Sequence, residues 1–311
     1  RALDRMLWRV DTSVMFPGLE RNTRPFVWYL AACSATYVVA HIIARKMKAW
    51  RPKSDVVADA DLIFSLPMYS WMSFLACKGT AEVWDAGWEE HWFGSGGNSR
   101  QFTLLYAAMN LVHIPITLLK KQSTTYKALM TFHHILSISC MMTGILLNRM
   151  YFWGAFDGIC EISTFCLTTL FCLKEFGGSG PVSKMLIIIN GVSLWLTYLI
   201  FRIFLFPTWL YCYVTEVQQN PAQTFESISM FERYMYPVVN VFLFFLSSHW
   251  MMQITAGMMK QLRKASVKKA ANGDAHAHGE KNNGITDTDA TKDTCAVDGD
   301  SNANARKKKE Q

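Results

Sequence analysis

Seven apolar runs, each near the length that crosses a bilayer, leave this chain few folds to choose from. A hydrocarbon core needs roughly 20 mostly apolar residues per helix. The runs are Phe26–Ala44, Leu62–Cys77, Phe102–Leu119, Ala128–Leu147, Tyr151–Leu173, Met185–Tyr211 and Tyr236–Met259. In hydrocarbon, backbone N–H and C=O groups must be satisfied within the protein, so each run is predicted to be a helix. The expected fold class is all-α: a polytopic membrane helix bundle of about seven transmembrane helices. Pro67 and Pro115 fall inside two of the runs. Such kinks are tolerated where neighbouring helices satisfy the freed backbone groups.

Every Phe, Trp and Tyr precedes Lys260, and the stretch beyond it has no core-forming aromatic residue. The expected division is an N-terminal segment over 1–25, a membrane domain over 26–259 and a disordered cytosolic tail over 260–311. The apolar runs exclude a soluble enzyme. Cys33, Cys77, Cys140, Cys160, Cys166 and Cys172 sit mostly within them and read as small buried hydrophobes, not as a disulfide framework. Trp84, Trp88 and Trp92 lie in an acidic loop, Gly79–Arg100, and suit an interfacial belt. The basic tail has no aromatic interleaving, so nucleic acid is not an expected partner.

Short loops rich in Lys and Arg mark the cytosolic side. Arg45, Lys46, Lys48, Arg51 and Lys53 follow the first run, Lys120, Lys121 and Lys127 the third, and Lys174 and Lys184 the fifth. The opposite loops carry only Lys78, Arg100, Arg149 and Arg233. This puts the tail in the cytosol and the arginine-bearing N-terminal segment, against the rule, on the far side. An additional preceding helix or a surface-lying amphipathic start would reconcile the two. Lys308 and Lys309 resemble a dilysine retrieval signal. That reading implies vesicle coat proteins as partners and residence in the endoplasmic reticulum membrane with cycling to the Golgi. The alternative is a basic run of the kind common in tails.

Ionisable groups at membrane depth are expensive and usually face a bundle interior or a cavity. They are His113, His133, His134, Asp157, Glu161, Arg202 and His249, joined by Asn110, Asn190 and Asn240. His133 and His134 point about 100° apart on a helix. A neutral imidazole suits general-base work or attack on an activated acyl group. The alternative is a purely structural pair. Asp157 and Glu161 are spaced i, i+4, on one face of a continuous helix. They would orient a histidine or, protonated, tie helices together. Arg202 suits a carboxylate or lipid phosphate, or else snorkels to the interface. The expected catalytic set is His133, His134, Asp157 and Glu161, and the expected substrate-binding set is Asn190, Arg202 and His249. A single His pair lacks the repeated clusters of membrane di-iron enzymes, so no metal and no bound cofactor is expected. His276 and His278 make at most a weak metal-binding pair.

The block Phe132-His133-His134, Asp157, Glu161-Ile162-Ser163-Thr164-Phe165, Asn190, Phe201-Arg202 and Pro207 resembles the TLC-domain family over roughly Val56 to Lys260. The segment from Asn240 to Trp250 also fits. The resemblance implies an endoplasmic-reticulum helix bundle around a lipid-accommodating cavity. In the ceramide synthases of that family, paired histidines and two aspartates carry acyl transfer from acyl-CoA to a sphingoid amine. His133 and His134 match the histidine pair, and Asp157 matches the second aspartate. The first aspartate and the histidine before it would fall on Gly154 and Trp153. The implied function is lipid metabolism or membrane lipid homeostasis, with membrane lipids as partners. As an enzyme it would transfer an acyl group to a lipid amine or hydroxyl with acyl-CoA as co-substrate. The alternative, favoured by the missing first aspartate, is a non-catalytic lipid sensor or secretory-pathway trafficking factor.

Overall fold

The computed structural model describes residues 16–94 and 96–279, with side chains described through Lys260 and at Arg263. Among these residues all regular structure is helical: α1 (Gly18–Met47), α2 (Val56–Val83), α3 (Trp88–Phe93), α4 (Gly97–Leu119), α5 (Thr124–Leu147), α6 (Tyr151–Gly158), α7 (Glu161–Phe176), α8 (Pro181–Tyr198), a π-helical segment (Leu199–Phe204), α9 (Leu205–Gln219) and α10 (Met230–Gly279). The chain divides into a unit over Arg1–Met259 and a second over Lys260–Gln311. Lys308 and Lys309, and the side chains of His276 and His278, lie outside the described residues.

Seven helical stretches are long and apolar enough to cross a membrane: Gly18–Met47, Val56–Val83, Trp88–Leu119, Thr124–Leu147, Tyr151–Phe176, Pro181–Gln219 and Met230–Lys260. The protein is therefore a polytopic membrane helix bundle. Its outward faces carry large apolar side chains that a soluble protein would cover, among them Val38, Ile42, Ile188, Phe245 and Met252.

The helices run further than their apolar cores. α1 starts at Gly18, inside the segment assigned to the N-terminus, because Asn22 has partners deep in the bundle. Its amide donates to the Ile145 carbonyl (2.6 Å) and the Tyr151 hydroxyl (2.8 Å) and accepts from Arg100 Nε (2.7 Å). α2 opens on Asp55, whose carboxylate accepts from Val57 N, and passes through Pro67 without ending. α10 opens on a capping box. Ser229 Oγ accepts from Glu232 N, and the Glu232 carboxylate accepts from Ser229 N. The same carboxylate, fully buried, is gripped by Arg149 from the turn before α6.

The acidic loop is the largest departure from expectation. α2 continues to Val83, and α3 folds inward so that Trp92 is fully buried, not interfacial. Trp92 donates to Glu216 Oε2 (2.7 Å) and packs against Trp153 and Tyr213. His91 lies flat on Phe152, 3.9 Å between ring centroids, and pairs with Glu216. Cys77 is exposed and Cys172 half-buried, whereas Cys33, Cys140, Cys160 and Cys166 are buried as expected of small hydrophobes.

α4 is the central post. In the most apolar 18-residue stretch of its span 72% of the residues are buried, against 11% in that of α1. The fifth span is broken between α6 and α7, at Ile159 and Cys160. Gly158 ends α6 under the Phe102 ring of α4, and a Cβ there would collide with that ring. Gly158→Ala is therefore expected to lower stability by about 1–3 kcal/mol, the usual cost of overpacking. Thermal unfolding of Gly158→Ala, Phe102→Leu and the double variant should be non-additive, with Phe102→Leu relieving part of the loss. Simple addition of the two losses would contradict the contact.

Candidate functional site

A cavity of about 270 Å³ lies within the bundle, lined by residues of α2, α4, α5, α7, α8, α10 and the π segment. His133, His134, Glu161 and Arg202 all line it. Asn110, Tyr69, Tyr106, Ser163 and Thr164 add polar groups to the wall.

The histidines come from α5. Ser123 caps this helix, its hydroxyl accepting from Tyr126 N (3.3 Å). At 1.5 Å per residue, His133 then stands about 14 Å along the helix from its first residue. Asn110 of α4 donates its amide N–H to the Tyr106 carbonyl (2.9 Å), leaving its oxygen as an acceptor. His134 Nδ1, 2.5 Å from that oxygen, is therefore the donor. In the neutral ring this assigns the proton to Nδ1 and leaves Nε2 as the acceptor. His133 differs: its Nδ1 is buried and has no hydrogen-bond partner.

Behind His134 runs a polar line that sequence reasoning missed. The His113 and His134 rings are 5.7 Å apart. His113 Nε2 lies 3.3 Å from Asp61 Oδ1 and 3.2 Å from Ser65 Oγ, and its Nδ1 is 3.5 Å from the Tyr69 hydroxyl. Asp61 also pairs with Lys120 at the end of α4. Asp61 lies just before the second apolar run, so its position gave no membrane-depth signal, although α2 in fact starts at Val56.

Arg202 sits in the π-helical segment, a feature that often marks functional sites. It is only 7% exposed. Nε donates to Ser163 Oγ (2.7 Å), Nη2 donates to Thr164 Oγ1 (2.7 Å), and the guanidinium carbon lies 5.2 Å from the Tyr198 ring centroid. It is not snorkelling.

The acidic pair is separated. A continuous helix would put Asp157 and Glu161 on one face, but the break puts the first at the end of α6 and the second at the start of α7. Asp157 Oδ1 lies 3.4 Å from Asn240 Nδ2 of α10 and is not part of the cavity lining. Glu161 lines the cavity, with the Cys160 thiol 3.9 Å from Oε1. Asn190 donates to the Cys166 carbonyl (2.8 Å), tying α8 to α7. His249 is exposed and bonds Gln253 of its own helix (2.9 Å). Neither Asn190 nor His249 lines the cavity. A Cβ on Gly154, where the resemblance implies the first aspartate would fall, would meet Met141 and Thr103. Among the described residues, no group of three or more His, Cys, Asp or Glu could hold a metal ion.

Seven helical stretches of membrane-spanning length, six of which line the cavity, define a multi-pass membrane protein. The family model for the TLC domain matches residues 60–256, more than half of the chain, and the chain belongs to the TLC-domain family. No curated protein and no solved structure matches it.

The Lys120–Asp61–His113 line carries its own prediction. Asp61→Asn leaves Lys120 without its carboxylate and is expected to cost about 1–3 kcal/mol, less than for a fully buried pair because Lys120 reaches solvent. A thermal-unfolding cycle with Lys120→Met should show the second change recovering part of that loss. Independent losses would mean that the pair carries no coupling.

Proposed function

We propose that this TLC-domain protein acts in lipid metabolism or membrane lipid homeostasis by taking a lipid into the cavity and transferring an acyl group to its amine or hydroxyl. The observation that carries the reading is one cavity lined by a buried cation, a buried carboxylate and an imidazole whose Nδ1 has no partner. His133 is the proposed base, through Nε2, because its Nδ1 is fully buried. It takes the proton of the lipid amine or hydroxyl as that group attacks the thioester carbonyl of acyl-CoA, the co-substrate. The C–S bond then breaks, and the departing thiolate receives the proton. His134, fixed by Asn110, positions its neighbour. Arg202 is a donor suited to negative charge developing on the carbonyl oxygen.

A non-catalytic reading, as lipid sensor or trafficking factor, has its own support. Asp157 faces Asn240 outside the cavity lining, and Gly154 stands where the family's first aspartate would be. His133 thus has no carboxylate partner to orient it.

The test is lipid profiling of cells lacking the protein, rescued with wild type or with His133→Ala/His134→Ala at equal expression. Acyl transfer predicts that wild type restores a lipid class and the double variant does not. Purified double variant should also lose turnover, by about 10²-fold or more if the base is removed. Full restoration by the double variant would leave the sensor reading standing. Endoplasmic-reticulum residence through Lys308 and Lys309 is also proposed. Changing both to Ser should move the protein to later compartments by microscopy, and unchanged localisation would remove that signal.

A further inference from the structure

We propose that Arg202 is an oxyanion subsite, and that the cavity takes an acidic amphiphile: a long-chain carboxylate or phosphate monoester. The inference rests on the cavity being a lipid site and specifies which lipids it prefers.

A buried guanidinium usually has a carboxylate against it, because removing a charge from water is costly without a close counter-charge. Among the described residues Arg202 has none within 4.0 Å. Its hydrogen-bonded partners, Ser163 and Thr164, are neutral hydroxyls, and a ring face supplies the rest of its enclosure. Glu161 makes no direct ion pair with it and acts on it through space and through the shared Thr164 hydroxyl. A guanidinium has five N–H donors, and two bonds to hydroxyls leave donors for a planar or tetrahedral oxyanion. The π-helical segment is what brings this residue to the wall.

The remainder of the cavity suits an apolar chain. Met130, Leu167, Phe171 and Ile254 line it together with Arg202. Tyr126, Phe171 and Gln253 are exposed as well as lining, so the cavity reaches the surface there. α5 and α10 are joined on one side of this opening, by Tyr236 donating to the Cys140 carbonyl (2.8 Å) and by the Phe132–Phe242 ring contact (5.6 Å). Towards the N-terminus of α5 the two helices supply Tyr126, Met130, Gln253 and Ile254 to the cavity.

The experiment titrates the full-length chain, in a neutral maltoside detergent, with tritiated oleate, oleyl phosphate and oleyl alcohol. The expected result is that at least one anion binds about tenfold or more tighter than the alcohol, the size of effect a charge-assisted bond gives. The tighter anion tells carboxylate from phosphate. Arg202→Gln should remove this preference. Because that change also deletes two interhelical bonds, Thr164→Asp provides a second variant. It puts a carboxylate beside the guanidinium while leaving Arg202 in place, and should abolish the preference for anions while alcohol still binds. Equal binding of all three probes by wild type, or an anion preference that survives Thr164→Asp, overturns the subsite and leaves the lipid cavity standing. Absence of binding by all three overturns both.

Discussion

Inside a bilayer, a polar atom has only other protein atoms, or a ligand, to bond with. Most of the interior of this bundle is organised by that constraint. Asn22, Asn110 and Asn190 each find a carbonyl or hydroxyl, and Asn240 is paired with Asp157. Arg149 and Glu232 cancel each other beside the start of α10. Where such partners exist, polar residues hold helices together. The satisfaction is incomplete: Trp153 and Tyr213, away from the cavity, each keep a buried polar atom without a partner. Among the buried polar atoms without a partner, the Nδ1 of His133 and the hydroxyl of Tyr198 belong to residues of the cavity wall, where the guanidinium of Arg202 also stands without a close carboxylate.

The break between α6 and α7 divides these two kinds of behaviour. Gly158 lets α6 pass under Phe102, and the chain restarts as α7 at Glu161. Asp157 goes to a helix–helix tie with α10, and Glu161 goes to the cavity. Ser163 and Thr164 follow on α7 and reach Arg202 across the bundle. A π-helical insertion in the opposing span supplies the other half of that contact. Two local departures from regular helix thus set the composition of the cavity.

The fold was largely legible because its determinants are local. Apolar run length located all seven spans, and the family resemblance over roughly Val56 to Lys260 agrees with the match over residues 60–256. Helix ends were read too short wherever a tertiary contact extended them, as at Asn22 of α1 and Val83 of α2. The serine and glutamate spacing of Ser229 and Glu232 was a signal that could have located the start of α10. Trp92 was misplaced because a tryptophan in an acidic loop looks interfacial unless its indole N–H has a buried acceptor, and that acceptor, Glu216, is more than a hundred residues away.

What the sequence determined by itself was the class: helices, their number, and the few residues that must be accounted for at membrane depth. Hydrocarbon imposes those conclusions on any chain with these apolar runs. What only the tertiary structure decided was the grouping of those residues. Neighbours along a helix, such as Asp157 and Glu161, were parted by a backbone break, while His133, Glu161 and Arg202, from three different spans, came to line one cavity. Spacing along a sequence fixes which face a residue takes only while the helix is regular. Breaks and π-helical insertions depend on packing between helices, here the Phe102 ring over Gly158, and that information is not local.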